Sequence, residues 1–236
     1  RLSIIDLSEA GSQPMHYLDR YSIVFNGEIY NYIELKERLL KKGYRFKSET
    51  DTEVLLALYD EKKEACLQEL DGMFSFAIWD EREQQLFCAR DRFGEKPFYY
   101  HYQPGVSFFF GSEMKALWAA GVSKDVNAEM LFNFLEFDLL ENPRDLSETF
   151  YAQCKKLPHA HYLKIDTRNL KPTIRRYYDI DWKVQRDDFS QKEAEQKIKE
   201  LFVTSVERRL RSDVPVGSSL SGGLDSSLVV CVIDQL

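Results

Sequence analysis

Residues Val214–Leu228, reading VPVGSSLSGGLDSSL, constrain the fold of this chain more than any other stretch. An apolar run, a glycine turn and a second apolar run predict a strand, an anion-gripping turn and a helix. Val214, Val216 and Leu220 are spaced to line a buried strand. Ser221, Gly222 and Gly223 let the backbone approach an anion with no Cβ in the way. A helix starting near Asp225 would aim its free N–H groups and positive dipole end at that anion, with the Ser226 and Ser227 hydroxyls as further donors. A strand feeding such a turn belongs to a parallel α/β sheet buried on both faces. The sequence runs only to Leu236, so most of that second domain is expected to lie outside it.

The spacing differs from GxxxxGK followed by Ser or Thr, so a Walker-type site is not indicated. SGGLDSS resembles the pyrophosphate loop of ATP-pyrophosphatases, position by position from Ser221 to Ser227. That resemblance implies that Leu220, Ser221, Gly222, Gly223, Leu224, Asp225, Ser226 and Ser227 hold the pyrophosphate of ATP, and that Asp225 helps bind Mg2+. A glycine-rich turn without a ligand is the plain alternative.

With 236 residues and 44% hydrophobic content, the chain can bury one large core or two smaller ones. The formal charge of −7 argues against a nucleic-acid partner recruited by net positive charge. No apolar run has the length of a bilayer span and the start has no signal-peptide pattern, so a cytoplasmic location is expected. Cys66, Cys88, Cys154 and Cys231 stand far apart without a CxxC pair, which points to reduced thiols rather than a zinc site or disulfides.

Along the chain, Tyr21–Phe25 has a buried-strand pattern that Asn26, Gly27 and Glu28 should end as a polar turn. Asn31–Lys42 predicts a helix with Leu35, Leu39 and Leu40 on one face and Gly43 as its stop. Thr50 and Glu53 form a capping box for a second helix carrying Val54, Leu55 and Leu58, with Asp51 in its first turn. Between Met73 and Gly111 the short aromatic runs FSFAIW, QLFCAR, PFYYHY and VSFFFG predict an antiparallel meander. Arg90–Lys96 within it has the composition of a solvated charged turn. Helices over Met114–Ala120 and Ala128–Phe137 should cover the sheet. His161–Ile165 and Ile174–Tyr178 return to strand, and Asp179–Asp188 reads as an interdomain linker. Beyond it, Ser190 and Glu193 cap a helix whose Ala194, Ile198, Leu201, Phe202, Ser205 and Leu210 should face inward. His159 and His161 alternate as if on one strand face, but no third metal ligand lies nearby.

RLSIID, FNGEIYN, Thr50–Glu53, DGMFSFAIWD, ARDRFGEKPFYY, GSEMKAL and SDVPVGSSLSGGLDSS together resemble glutamine-hydrolysing asparagine synthetases across essentially the whole chain. The resemblance implies an α+β chain. Residues 1–180 would be an incomplete four-layer αββα N-terminal-nucleophile hydrolase sandwich that acts as a glutaminase. Residues 189–236 would begin an α/β, ATP-dependent synthetase domain. It implies that Arg1 holds the glutamine α-carboxylate, with Leu2, Ser3, Ile4 and Ile5 beside it. Glu28 and Asp51 would receive the α-amino group, and the Asn26 amide and Gly27 N–H would form the oxyanion hole. The resemblance further implies that the Arg90–Lys96 turn packs near the domain junction, with Asp91 or Arg92 paired and partly buried rather than solvated. The implied substrates are glutamine, aspartate and ATP; a homodimer stays open. ATP would be cut to AMP and pyrophosphate as aspartate becomes β-aspartyl-AMP. The family's nucleophile is an N-terminal cysteine upstream of the RLSI motif, which none of the four cysteines matches, so this chain alone is expected to be inactive. Two alternatives remain: a β-lactam synthetase-like enzyme with another carboxylate acceptor, and a catalytically silent relative acting as an interaction module.

Overall fold

The computed structural model describes residues 4–168, 170–183 and 189–236. Its nine strands are β1 (Met15–Tyr17), β2 (Tyr21–Ile29), β3 (Gly72–Asp80), β4 (Gln85–Arg90), β5 (Tyr99–Gln103), β6 (Ser107–Gly111), β7 (Lys155–Lys156), β8 (His161–Asp166) and β9 (Pro172–Arg176). They form two sheets, ordered β1-β2-β3-β4-β8-β9 and β6-β5-β7, and every pairing is antiparallel.

Strand alternation sends the side chains of the larger sheet to two different cores. Phe74, Phe76 and Ile78 of β3, with Phe87 and Ala89 of β4, pack beneath helices α1 (Tyr32–Lys41) and α2 (Asp51–Lys62). Ala77, Cys88, Leu163 and Ile165 point the other way, against Phe98, Tyr100 and Leu157 on the side of the smaller sheet. Outside that sheet, α3 (Met114–Ala119) seats Leu117 with Val122 and Cys154. The layers therefore run helix, sheet, sheet, helix, the αββα sandwich implied by the resemblance.

Several local expectations change. The aromatic runs from Met73 to Gly111 are not one meander: β3 and β4 belong to the larger sheet, β5 and β6 to the smaller, and the charged turn at Arg90–Lys96 carries the chain between them. Asn26, Gly27 and Glu28 do not end β2. They continue it, opposite Ser75, Phe74 and Met73, because the neighbouring strand supplies ladder partners that composition cannot reveal. In α1, Leu35 and Leu39 are buried but Leu40 is half exposed. In α2 every residue from Asp51 to Tyr59 is buried, because the helix is enclosed by more than the sheet beneath it.

Helix α4 (Ala128–Phe137) buries only Met130 and leaves Phe132, Leu135 and Phe137 exposed, so it does not cover a sheet as α3 does. Helix α5 (Gln191–Arg209) has the full Ser190–Glu193 capping box, yet Ile198 and Leu201 are exposed and Val206 is its one buried residue. Val214–Leu220 forms no strand: among the described residues it has no neighbouring strand to pair with, and Val216 and Leu220 are exposed. Helix α6 (Leu224–Gln235) follows the glycine turn. His161 opens β8, but His159 lies in the preceding turn, its carbonyl bonded to the His161 ring, and no metal-ligand cluster is found among the described residues. No helix of the described residues is long and apolar enough to cross a membrane.

Candidate functional site

The end of β2 opens onto a cavity of about 560 Å³ lined by Ile4, Ile5, Asn26, Gly27, Glu28 and Asp51, together with Gln13, Thr52, Lys96 and Glu113. Arg1, Leu2 and Ser3 lie outside the described residues. The strand and the helix opposite it set the geometry. Thr50 caps α2 by accepting the Glu53 N–H at 3.0 Å, and Asp51, the first residue of the helix, turns its Oδ2 to the Ile29 N–H of β2 at 2.9 Å. The Glu53 carboxylate does not return to Thr50 as a full capping box requires; it accepts the N–H groups of Lys47 and Ser48 and fixes the bend that leads into the helix.

Gly27 has φ of +149°, and a Cβ there would stand 2.1 Å from the Met73 carbonyl oxygen, so any side chain would push β2 off β3. Beside it, the Asn26 Nδ2 donates to Ser112 Oγ at 3.2 Å, which anchors the amide between the two sheets. Glu28 is 5% exposed, and its Oε1 has no hydrogen-bond partner among the described residues. Burial, and secondarily the charge of Asp51, push its carboxyl up to about 7, with Lys96 and Arg209 opposing. Two carboxylates on one cavity wall, Glu28 and Asp51, suit a compact cationic group such as an ammonium.

Lys96 reaches this cavity because the Arg90–Lys96 turn is built around Asp91 rather than solvated. Asp91 is 1% exposed, and its carboxylate accepts the N–H groups of Phe93, Glu95 and Lys96 at 2.9–3.0 Å and that of Phe74 at 3.3 Å. Arg90 donates to the carbonyls of Gly94, Lys96 and Leu157, and Arg92 lies over the Tyr178 ring. Lys96, Gln13 and Glu113 were not among the residues expected at the site; Lys96 sits in a conspicuous charged motif and Glu113 in GSEMKAL, whereas nothing local marks Gln13.

The residues from Leu220 to Ser227 do not join this cavity. They form an exposed turn at the start of α6, where Gly222 has φ of +80° and open space where a Cβ would stand. Gly223 caps the helix with no side-chain bond to its first N–H groups, Ser221 Oγ and Ser226 Oγ meet at 3.0 Å, and Asp225 is exposed in the first turn. Free N–H groups, adjacent hydroxyls and a carboxylate form a donor set that fits a phosphate with a bound divalent cation.

A family model described as a glutamine amidotransferase domain matches residues 1–178. The chain belongs to that family. A second model, described as asparagine synthase, matches residues 197–236 of this amidotransferase chain. The chain is 41% identical to asparagine synthetase [glutamine-hydrolyzing] 1 of Bacillus subtilis (strain 168), across 100% of its own length and 36% of the relative's. It is 38% identical to a putative asparagine synthetase [glutamine-hydrolyzing] 2 of Methanocaldococcus jannaschii, covering 100% of this chain and 47% of that one. It thus spans between a third and a half of the length of these relatives. Among solved structures, a glutamine phosphoribosylpyrophosphate amidotransferase from B. subtilis, complexed with ADP and GMP, aligns with a TM-score of 0.52 at 19% identity, over 73% of this chain and 33% of that chain. That likeness concerns the fold alone, the layered αββα sandwich.

Proposed function

We propose that the chain is the glutaminase domain, residues 1–180, and the beginning of the synthetase domain, residues 189–236, of a glutamine-hydrolysing asparagine synthetase. The observation that carries this reading is the Asn26–Gly27–Glu28–Asp51 cavity with its unfilled Glu28 oxygen, in one chain with the SGGLDSS turn. Glutamine's α-ammonium would take the place between Glu28 and Asp51, and Arg1 would hold the α-carboxylate beside Leu2, Ser3, Ile4 and Ile5. The Asn26 amide and the Gly27 N–H would face the oxygen that gains charge as the side-chain amide is attacked. Fixed donors of this kind cost no reorganisation at the moment of reaction.

None of the four cysteines lines the cavity, and burial pushes the thiols of Cys66, Cys88 and Cys154 up, away from the thiolate form a nucleophile needs. The attacking group is therefore expected from outside the described residues. In the second half-reaction, the turn from Leu220 to Ser227 would hold the pyrophosphate end of ATP. Asp225 would bind Mg2+, which when present neutralises the departing charge. Ammonia would then be consumed in amidating an aspartate activated as its adenylate. The substrates are small molecules: glutamine, aspartate and ATP.

The test is a product balance on the full-length protein. With glutamine, aspartate, ATP and Mg2+ it should release glutamate, AMP and pyrophosphate in step with asparagine. ADP in place of AMP would defeat the reading of the SGGLDSS turn, and AMP without preference for aspartate would move the assignment to another amide-forming ligase.

A further inference from the structure

The segment that leads from α5 to the SGGLDSS turn is tied to the wall of the glutamine cavity. The Asp213 N–H donates to the Ile4 carbonyl at 2.9 Å, and its Oδ2 accepts the Asp6 N–H at 2.8 Å. These two bonds grip residues Ile4–Asp6 from both ends, and Ile4 and Ile5 line the cavity. Asp6 continues the connection: its Oδ2 accepts the Glu49 N–H at 3.0 Å, one residue before the Thr50 cap that sets Asp51. Asp6 itself has φ of +52°, a left-handed conformation that persists in a non-glycine residue when its surroundings fix it.

Asp213 is held in place by a dense seam around it. Arg211 gives two N–H bonds to the Glu34 carboxylate, at 2.6 and 2.9 Å, and a third at 2.7 Å to the Tyr30 carbonyl, two residues beyond Glu28. Arg208 bonds Asp71 at 2.9 Å, and Arg209 lies 4.5 Å over the Tyr30 ring. Such paired, planar contacts fix orientation as well as distance.

We infer that Asp213, which belongs to the synthetase-side segment, is a positioning residue for glutamine: it holds the Ile4–Asp6 wall and, through Asp6, the Glu49–Asp51 approach. This inference rests on the glutaminase reading of the cavity. It makes the amino-acid site of the first domain incomplete without residues of the second, since the bond that sets its wall originates 207 positions along the chain.

The test compares glutamine hydrolysis by the full-length wild type, Asp213→Ala and Asp213→Asn. Losing one charge-assisted bond that shapes the site should raise the glutamine KM of Asp213→Ala about tenfold, with kcat within about twofold of wild type. Asp213→Asn keeps an oxygen to accept the Asp6 N–H and should restore KM to within about twofold. Unchanged KM in Asp213→Ala, or a fall in kcat and thermal midpoint together with no change in KM, overturns the inference. So does an Asn variant no better than Ala. If Asp213→Ala does not fold, Asp213→Glu keeps the charge and displaces the carboxylate by one methylene; a wild-type KM there is equally fatal. A wild type that hydrolyses no glutamine would defeat the proposed function, and this inference with it, whereas wild-type hydrolysis with an indifferent Asp213 defeats the inference alone.

Discussion

Glu28 is the residue at which binding and stability should pull in opposite directions. Its carboxyl is pushed from an ordinary 4.5 up to about 7, by burial first and Asp51 second. Between those values the folded protein holds a proton that the unfolded chain has released. Stability therefore falls as pH rises through this window, by about 1.4 kcal/mol per pH unit and about 3 kcal/mol over the whole of it. Glu28→Gln removes the titration. Relative to wild type, the variant should gain stability as pH rises from 5 to 8, by an amount approaching about 3 kcal/mol, while its affinity for glutamine drops because the α-ammonium loses an anionic partner. Urea denaturation of both proteins at pH 5, 6, 7 and 8, paired with glutamine titration at pH 8, reads both effects. A difference in stability that does not change with pH would refute the argument, as would a variant that binds glutamine as tightly as wild type.

Gly27→Ala should cost about 3 kcal/mol or more, since a Cβ 2.1 Å from the Met73 oxygen must separate β2 from β3; thermal unfolding checks it. Asp91→Asn should lower the unfolding midpoint by the equivalent of about 3 kcal/mol, because whichever oxygen becomes NH2 leaves two buried N–H groups without an acceptor. Arg211 holds the Glu34 carboxyl down at about 2, so the stabilisation it provides is complete above about 4.5 and is lost as pH falls toward 2. The thermal-midpoint advantage of wild type over Glu34→Gln should accordingly be present at pH 6 and fade across that acid range. Asp225→Asn should slow pyrophosphate release in the full-length protein by about a hundredfold while glutamine hydrolysis persists, as measured by separate pyrophosphate and glutamate assays.

What could be read in advance was what nearest neighbours decide. Thr50 caps α2 and Ser190 with Glu193 caps α5 because an oxygen three residues from an N–H needs no tertiary help. The αββα layering came through the resemblance, and periodicity agreed with it only strand by strand. Errors arose where a distant partner decided the outcome. Asn26, Gly27 and Glu28 look like a turn until β3 is laid beside them. Arg90–Lys96 looks solvated by composition, which counts charges and cannot count the main-chain N–H groups that close on Asp91; only the resemblance pointed to pairing and burial, found here at Asp91. Val214–Leu220 has the pattern of a strand, and a strand exists only beside another. In the cavity, Asn26, Gly27, Glu28 and Asp51 were singled out beforehand; Glu113 lies in GSEMKAL but had been given no role, and Gln13 arrives from a segment with no local signature. Arg1, Leu2 and Ser3 fall outside the described residues.

The turn around Asp91 has a bearing on which substitutions this protein can absorb. Its carboxylate is satisfied wholly by main-chain N–H groups, and Arg90 spends its donors wholly on main-chain oxygens. The side chains of Phe93 and Glu95 contribute none of these bonds, so the crossing between the sheets keeps its shape with any residue there except proline, which would remove an N–H that Asp91 accepts. Mutational freedom is thereby concentrated at the tip, where Phe93 is 68% exposed. Arg90, Asp91 and Gly94 can hardly change at all: Gly94 has φ of +74°, and a Cβ there would crowd the Arg90 guanidinium at 3.1 Å. Saturation mutagenesis of the turn would thus draw a sharply notched profile, tolerant of all but proline at Phe93 and Glu95 and intolerant at three positions within the same six residues.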